Sequence, residues 1–188
     1  MMRVTTTAIP GLLLLHPPRT ADERGFFAET FRRSWMEDAG LPTDWVQDNH
    51  SLSRQRGTVR GLHFQVPPRA QAKLVRVIAG SIFDVAVDLR RSSPTYGAHA
   101  AFELTGADGL QLLLPEGLAH GFCTLEDDTE VVYKVTDYYS AEHDRGLRWD
   151  DPALGIVWPI PAEQAILSAR DRRHPALAEL PGYFPEEV

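Results

Sequence analysis

The sequence predicts a single all-β domain of the sandwich or barrel class over residues 1–188. Six short strand-like segments follow one another between positions 73 and 139, and turn sequences such as SSPTYG, GADG and PEG separate them. The 14 glycines and 14 prolines are spread along the chain as turn residues, with neither an internal repeat nor an obvious linker. Short strands at a spacing of roughly ten residues are typical of β-sandwiches and β-barrels.

The N-terminal part contains one apolar strand and one helix. The stretch TAIPGLLLLH (7–16) carries more hydrophobic surface than an edge strand should expose, so we expect it to pair with the sheet of a second copy of the chain. In ETFRRSWMEDAG (29–40), apolar side chains recur every four residues from Phe31 to Ala39, and Gly40 ends the pattern. This spacing predicts a helix.

The central segments alternate in the manner of β-strands. In KLVRVIAG (73–80), Lys73 shares one face with Val75 and Val77, and SIFDVAVDLR (81–90) alternates in the same way. From about residue 140 the chain becomes rich in loops. We expect DDPALGIVWPIP to pack as an irregular strap because prolines interrupt it, and LSARDRRHPALAEL to begin a short helix with Ser168 as its N-cap.

Composition excludes some classes of function. With 26 acidic and 19 basic residues the net charge is −7, which argues against a general nucleic-acid or membrane-surface binder. Arginines cluster locally at 54, 56 and 60 and again at 170, 172 and 173, so the composition is compatible with a local basic pocket. The single cysteine, Cys123, cannot form an internal disulfide, and we expect a cytoplasmic protein in which it is a small buried residue.

Two histidines stand in contexts that suggest a site. The spacing of Gly109, Pro115, Gly117 and His120 resembles the second sequence motif of the cupins, which are jelly-roll barrels. Metal-binding cupins also carry two histidines one residue apart and then a glutamate. Here the strand VRGLHFQ has His63 with a glutamine in the second position, and the charged residue that follows is a lysine, which cannot ligate a metal while protonated. We therefore predict a metal-free barrel; a metal held by His63 and His120 is the weaker alternative.

Without a metal, the histidines remain candidates for acid–base chemistry. A histidine with a pKa near its reference value of about 6.5 can accept a proton at neutral pH, provided that a carboxylate orients the other ring nitrogen. Asp84, Asp88 and Asp171 are the candidate partners for His63, and the pattern alone does not choose among them.

Eight segments in order extend the resemblance over residues 22 to 171. They are DERGFFAETF, VQDNHS, RGLHFQ, AKLVRVIAGSIFDVAVDLRRSSPTYG, LPEGLAHGF, VVYKVTDYYS, GIVWP and LSARD. Together they resemble the dTDP-4-dehydrorhamnose 3,5-epimerase family, sugar-nucleotide epimerases of the cupin superfamily. The resemblance implies a metal-free jelly roll with a few short helices that forms a homodimer, needs no cofactor and acts on dTDP-4-keto-6-deoxy-glucose in deoxysugar biosynthesis.

The resemblance also implies roles for four catalytic residues. His63 is the base that removes the proton next to the ketone, and Asp171 is its carboxylate partner. Lys73 stabilises the enolate oxygen, and Tyr133 returns a proton from the opposite face. Tyr138 and Tyr139 are rival acids, and the Ser-x-x-Asp pattern of Ser168 and Asp171 also fits a helix-capping box.

Eight further positions match substrate contacts of the family. They are Arg24, Glu29, Gln47, Asn49, Arg60, His120, Asp144 and Arg170. Arginines suit a diphosphate, because the guanidinium fork gives paired hydrogen bonds. Asp144 and Arg170 stand where a glutamate and a lysine are the commoner choices. Glu29 can alternatively be a first-turn helix charge, and His120 can simply hydrogen-bond the corner before it.

Two questions of function stay open at the level of sequence. Relatives of this family epimerise either one carbon or both, and the same base and acid serve each reaction. A non-catalytic sugar-nucleotide-binding cupin is the alternative class; it predicts that His63, Lys73 or Tyr133 is missing or points away from the cavity.

Overall fold

The computed structural model describes residues 2–184 and shows two β-sheets packed face to face. Met1 and residues 185–188, the ends of the predicted single domain, lie outside the described residues. The strands are β1 (Arg3–Thr6), β2 (Leu13–His16), β3 (Arg19–Asp22), β4 (Gly25–Ala28), β5 (Gln47–Ser53), β6 (Val59–Gln65), β7 (Lys73–Ala79), β8 (Ser81–Asp88), β9 (His99–Thr105), β10 (Gln111–Leu114), β11 (Leu118–Thr124), β12 (Thr129–Val135) and β13 (Asp144–Gly146).

The pairing of β5 to β12 is that of a jelly roll. β8 pairs with β9, β7 with β10, β6 with β11 and β5 with β12, all antiparallel, as if one long hairpin were folded over on itself. The result is one sheet in the order β1-β2-β10-β7-β12-β5 and another in the order β13-β6-β11-β8-β9. The all-β prediction is confirmed, and the topology is that of the predicted jelly roll.

The space between the sheets holds the main core at one end. Alternation along β7 turns Val75 and Val77 inward, and β8 contributes Ile82 and Ala86 from the opposite sheet. Lys73 lies on the same face of β7 as these two valines, two residues before Val75. The strand that builds the core therefore also carries a lysine toward the open end of the sandwich.

The outer face of the five-stranded sheet is covered by the C-terminal part of the chain. Leu62 and Phe64 of β6 pack there against Leu154, Leu180 and other apolar residues that follow β13. This cover explains why β8 is buried on both faces. The predicted irregular strap is confirmed, because residues 150–161 contain only a single 3₁₀ turn, at Pro152–Leu154, and no strand.

The prediction for the N-terminal apolar stretch is wrong in its pairing. A turn at residues 9–11 shortens the strand to β2, which lies between β1 and β10 within the same chain. Both edges of β2 are thus occupied, and its apolar content is explained by burial of Leu15. The edge strand on this side of the sheet is β1, whose four side chains are exposed.

Both predicted helices are shorter than expected. The first, α1, spans only Arg33–Asp38, because Arg32 is still extended, and it buries Met36. The second is a single 3₁₀ turn at Asp171–Arg173, since the residue before Pro175 is driven into extended backbone. Among the described residues, no helix has the length and apolar character needed to span a membrane.

Two glycines, Gly61 of β6 and Gly121 of β11, allow these neighbouring strands to approach each other closely. The backbone of Gly61 has φ +129°, and a Cβ there would lie 2.6 Å from Gly121 Cα and 2.8 Å from the carbonyl oxygen of His120. The pairing of the two strands shifts register at this point. Both neighbours are backbone atoms, so neither can move aside without disturbing the sheet.

We predict that Gly61→Ala lowers the free energy of unfolding by about 3 kcal/mol or more, because it adds a backbone clash to an unfavourable φ. Gly109→Ala is the matched control: its φ is +69° but nothing lies within 4 Å of the added methyl, so we expect a loss of about 1 kcal/mol. Urea unfolding curves measure both. Equal losses in the two variants would contradict the close approach of β6 and β11.

Candidate active site

A cavity of about 450 Å³ opens between the two sheets, beyond the end of the core. The five-stranded sheet supplies His63, and the six-stranded sheet supplies Lys73 and Tyr133. Ten of the twelve predicted site residues line this cavity: His63, Lys73, Tyr133, Asp171, Gln47, Asn49, Arg60, His120, Asp144 and Arg170. A single concave site therefore collects residues that are up to 124 positions apart in the sequence, from Gln47 to Asp171.

His63 and Asp171 form a close pair. His63 Nε2 lies 2.7 Å from Asp171 Oδ1, and the backbone N–H of Gly61 donates to the other carboxylate oxygen at 3.4 Å. Of the three candidate partners, Asp84 instead contacts His120, and Asp88 accepts hydrogen bonds from its own turn. Since Nε2 is engaged with the carboxylate, Nδ1 is the ring nitrogen of His63 that is available to accept a proton.

The environment of this pair keeps the histidine neutral and the aspartate charged. Burial lowers the pKa of His63, and the hydrogen bond and charge of Asp171 only partly offset this effect. Burial opposes ionisation of Asp171, but the neighbouring His174 ring and hydrogen bonds from His63 and the Gly61 backbone outweigh it and hold the pKa of this carboxyl well below its usual range. A neutral imidazole beside a carboxylate is the state that a general base requires.

Lys73 is a buried cation at the edge of the cavity. Its side chain is largely removed from solvent, and Nζ donates to the carbonyl oxygen of His63 at 3.1 Å. Burial lowers the pKa of Lys73 to about 8, although the charges of Asp144 and Asp84 act in the opposite direction. An ammonium group in this position can stabilise negative charge that develops on a bound molecule.

Tyr133 lies on β12, across the cavity from the sheet that carries His63. Burial raises its pKa, so its phenol is a neutral proton donor. Of the two rival tyrosines, Tyr138 does not line the cavity and Tyr139 does. Tyr139 is more exposed than Tyr133 and lies near Asp144 and Arg170, which places it at the mouth of the cavity.

His120 has a carboxylate partner of its own. The imidazole Nε2 lies 2.9 Å from Asp84 Oδ2, and both side chains are buried. His120 is also directly opposite His63 in the pairing of β11 with β6. It lines the cavity as predicted, and its partner is Asp84 on β8 rather than the preceding corner.

The remaining polar residues form the wider part of the cavity. Arg60 donates to Ser53 Oγ and to the carbonyl oxygen of Leu52, both at 3.0 Å. Gln47 donates to Asn49 Oδ1 at 2.9 Å. These side chains are held in place by neutral partners, which leaves the Arg60 charge available to an anionic ligand.

Asp144 and Arg170 form an ion pair with each other at 2.7 Å. The two positions at which the sequence departs from the commonest family pattern are therefore partners. The shorter carboxylate and the arginine still meet, and both line the cavity.

Two predicted contacts lie elsewhere. Arg24 is 85 % exposed and pairs with Asp22 in the hairpin of β3 and β4, and Glu29 pairs with Arg32. Neither lines the cavity of its own chain. As a helix charge Glu29 also fails, because α1 begins four residues after it, at Arg33.

The capping interpretation of Ser168 and Asp171 is half right. Ser168 Oγ accepts a hydrogen bond from the backbone N–H of Asp171 at 3.0 Å. The carboxylate, however, turns to His63 and Gly61. The hydroxyl fixes the turn, and this leaves the aspartate free for the histidine.

Sequence reasoning did not single out His174 or Gln65. His174 Nε2 lies 3.3 Å from Asp171 Oδ1, and Gln65 bonds the backbone of Tyr138 and Ser140. His174 carries no motif signal, because its contact depends on which loop folds over β6, and the motif marked Gln65 only as the residue in place of a second metal-binding histidine.

The geometry does not favour a metal ion. His63, Asp171 and His174 place three potential ligand atoms within 4.8 Å of one another. The 2.7 Å between His63 Nε2 and Asp171 Oδ1 is shorter than the roughly 3.3 Å that separates two ligands of a tetrahedral zinc ion with bonds of about 2.0–2.1 Å. The cations Lys73 and Arg170 share the cavity and would repel such an ion.

We predict that Lys73→Met raises the free energy of unfolding at pH 7 by up to about 3 kcal/mol, the cost of lowering the pKa from 10.5 to about 8. Below pH 8 the folded lysine carries a charge that burial penalises. Between pH 8 and 10.5 the folded state loses this proton while the unfolded chain keeps it, so the difference between variant and parent should shrink as the pH rises. Urea unfolding at pH 7 and near pH 10.5 measures it.

Lys134→Met is the matched control for this change. It removes the same charge from β12, where the ammonium pairs with Asp48 at the surface. We expect this variant to differ from the parent by less than about 1 kcal/mol at both pH values. A Lys73→Met variant that is less stable than the parent at pH 7 would contradict the burial cost.

Comparison with known proteins identifies the family. The sequence profile described as dTDP-4-dehydrorhamnose 3,5-epimerase matches residues 6–179. A protein of that name from Sinorhizobium fredii is 52% identical over 183 residues, which cover 97% of this chain and 93% of the relative.

Solved structures agree with the sequence match. The crystal structure of dTDP-4-dehydrorhamnose 3,5-epimerase from Bacillus anthracis with TDP and PPi bound superposes with a TM-score of 0.91 at 46% identity, covering 94% of this chain and 99% of that one. The enzyme from Legionella pneumophila in complex with dTDP-4-keto-L-rhamnose gives a TM-score of 0.92 at 40% identity, with both chains covered completely. The motif resemblance and the jelly-roll prediction are thereby confirmed, and the chain belongs to the dTDP-4-dehydrorhamnose 3,5-epimerase family of isomerases.

Proposed function

We propose that this protein epimerises a dTDP-4-keto-6-deoxyhexose, dTDP-4-keto-6-deoxy-glucose in particular, through an enolate. The observation that carries the proposal is the arrangement of a neutral histidine on one sheet and a neutral tyrosine on the other, with the buried ammonium of Lys73 in contact with the carbonyl oxygen of the histidine. The names and ligands of the relatives support the same substrate class.

The chemistry follows from the ketone of such a sugar. A carbonyl at carbon 4 acidifies the protons on carbons 3 and 5, so His63 can remove one of them through Nδ1 while Asp171 stabilises the imidazolium that forms. The electron pair moves onto the carbonyl oxygen as an enolate, and Lys73 supplies the positive charge for it. A proton returned by Tyr133 from the other sheet arrives on the opposite face of the ring, which inverts the carbon.

The wider part of the cavity suits the nucleotide. Arg60 and Arg170 offer guanidinium groups to the diphosphate, while Gln47 and Asn49 offer amides to a base. A non-catalytic sugar-nucleotide-binding protein would require these groups alone. The presence of His63, Lys73 and Tyr133 in the same cavity favours the enzyme.

We propose epimerisation at both carbons, since the 52% identical relative is named as a 3,5-epimerase. The proposed place of the reaction is deoxysugar biosynthesis in the cytoplasm, with no metal or other cofactor.

The decisive experiment is proton NMR of the 4-keto sugar nucleotide in deuterated water. The parent should exchange the protons of carbons 3 and 5 for deuterium and accumulate the inverted sugar. His63→Ala should lower the exchange rate by roughly 10³-fold or more at unchanged nucleotide affinity, because the lost interaction acts in the transition state. Exchange by this variant at the parent rate would exclude His63 as the base.

Tyr133→Phe separates the two proton transfers in the same experiment. It should still exchange protons, because His63 can remove and return one on the same face, but it should accumulate little inverted product. Tyr139→Phe is the matched control at the mouth of the cavity, and we expect it to invert the sugar. Inversion by Tyr133→Phe at the parent rate would assign the acid elsewhere.

We also propose that the protein is a homodimer in which the hairpin of β3 and β4 reaches the cavity of the second copy. This hairpin forms a separate two-stranded sheet, and its Phe26 and Phe27 are 58% and 73% exposed. Arg24, a predicted substrate contact, lies on it and outside the cavity of its own chain. Exposed aromatic side chains beside an arginine are typical of a protein–protein interface.

Mixed dimers test this arrangement. Chains carrying Arg24→Ala with one tag and His63→Ala with another are co-expressed, and heterodimers are isolated through both tags. Each homodimer lacks an essential group at both sites, whereas the heterodimer has one complete site of two and should recover about half of the parent activity. Failure of the two tags to co-purify, or activity no higher than the mean of the two homodimers, would contradict the proposal.

A further inference from the structure

Beside His63 the structure contains a slot that only glycine leaves open. Gly146 of β13 is the direct neighbour of His63 in the pairing of β13 with β6. A Cβ at residue 146 would collide with the imidazole ring of His174, closer than van der Waals contact allows. The absence of a side chain at Gly146 therefore makes room for His174 next to His63.

His174 reaches the catalytic pair through this slot. Its Nε2 atom lies 3.3 Å from Asp171 Oδ1, the same oxygen that His63 Nε2 contacts at 2.7 Å. The rings of the two histidines stand edge to face, with centroids 5.5 Å apart and planes at 82°. The side chain of His174 is only 9% exposed, and Nε2 makes no well-directed hydrogen bond with any described residue. Buried polar atoms are normally hydrogen-bonded, so the position of this ring nitrogen calls for an explanation.

The chain fixes His174 from both sides. The 3₁₀ turn Asp171–Arg173 precedes it, and the carbonyl oxygen of Pro175 accepts a hydrogen bond from the backbone N–H of Arg148 at 2.8 Å. The ring is thus held against the strand pair by the same loop that delivers Asp171. Its position is a property of the fold rather than of a free side-chain rotamer.

We propose that His174 is a positioning residue, which shares the Asp171 carboxylate with His63 and thereby sets the basicity of His63. The proposal rests on the role proposed above for His63 as the base. It assigns no contact with substrate to His174. It assigns to Gly146 the role of admitting the His174 ring.

The physical effect has a definite direction. With Nε2 protonated, the His174 N–H group lies 3.3 Å from Asp171 Oδ1 and attracts its negative charge, and a carboxylate whose charge also interacts with a second ring stabilises the His63 imidazolium less than one that faces His63 alone. The proximity of His174 also lowers the pKa of His63 directly. Removal of His174 should therefore raise the pKa of His63 and leave less of the neutral base at a given pH.

Other charged and titratable groups near the two rings also influence the pKa of His63 or surround His174. Asp171 and Lys73 act on His63 besides His174, and His120 faces it across the strand pair. A second cavity borders His174, and its charged and titratable lining residues are Asp144, Arg145, Arg170, Arg173 and Tyr183. None of these groups is altered by substitutions at position 174 or 146, so a change in the titration of His63 can be attributed to the ring of His174.

The test is an NMR titration of the His63 ring in the substrate-free protein, with the signal assigned by its loss in His63→Asn. His174→Leu fills the slot without a donor and should raise the midpoint of His63 by roughly half a pH unit. His174→Gln can place an amide N–H near the position of Nε2 and should keep the midpoint within about 0.2 unit of the parent. Gly146→Ala retains His174 but expels its ring, and should reproduce the His174→Leu shift.

The acid limb of the kcat/KM profile provides a second reading. In His174→Leu it should move upward by the same amount as the NMR midpoint, with Gln restoring it. An unchanged or lowered His63 midpoint in His174→Leu, in a variant that retains the parent's dispersed spectrum, would overturn the proposal. Because the titration needs no substrate, a shifted midpoint in a protein without epimerase activity would refute the proposed function and leave the positioning role supported.

Discussion

The contact of 2.7 Å between His63 Nε2 and Asp171 Oδ1 is the interaction on which the chemistry of the cavity depends. The two residues come from distant parts of the sequence, since β6 belongs to the five-stranded sheet and Asp171 to a turn in the irregular C-terminal segment. The hydrophobic cover that this segment forms on the outer face of the sheet therefore has a second role besides excluding water. It anchors the loop that brings a carboxylate around the end of β6 to the histidine.

The cost of such a site is visible in the buried charge of Lys73. The inner face of β7 is apolar at Val75 and Val77, and the third residue on this face is Lys73. The lysine side chain must lose its hydration water to lie there. Burial of an ammonium is unfavourable, and its pKa of about 8 records that cost. A cation that is already stripped of water interacts with an enolate oxygen more strongly than a hydrated one, so the same desolvation that weakens the fold strengthens the proposed catalysis.

Much of this architecture can be predicted from local sequence patterns, whereas the rest depends on how distant loops pack against the strands. Period-two alternation placed Lys73 with Val75 and Val77, and structure and sequence agree there because a strand has only two faces. The apolar stretch 7–16 led to the wrong prediction that it pairs with a second copy of the chain. Hydrophobicity alone does not distinguish burial within one chain from burial against another. His174 could not be found in advance, since its contact with Asp171 requires Gly146 on a short strand and a 3₁₀ turn to meet. Residue types and alternation predict which side chains face inward, whereas long-range loop packing decides which of them touch.

The pairing of charges inside the cavity determines what kind of molecule it can hold. Each aspartate of the lining, together with Asp84 behind it, already has a basic partner: Asp171 has His63, Asp84 has His120, and Asp144 has Arg170. Arg60 and Lys73, by contrast, donate to hydroxyl and carbonyl oxygens, which carry no net charge. Among the described lining residues these two cations are therefore not neutralised by an acid in contact with them. They lie on strands of opposite sheets, so one positive charge is available where a diphosphate can bind and another where an oxyanion can form. A neutral sugar would leave both uncompensated, and an anionic sugar nucleotide that becomes an enolate satisfies both.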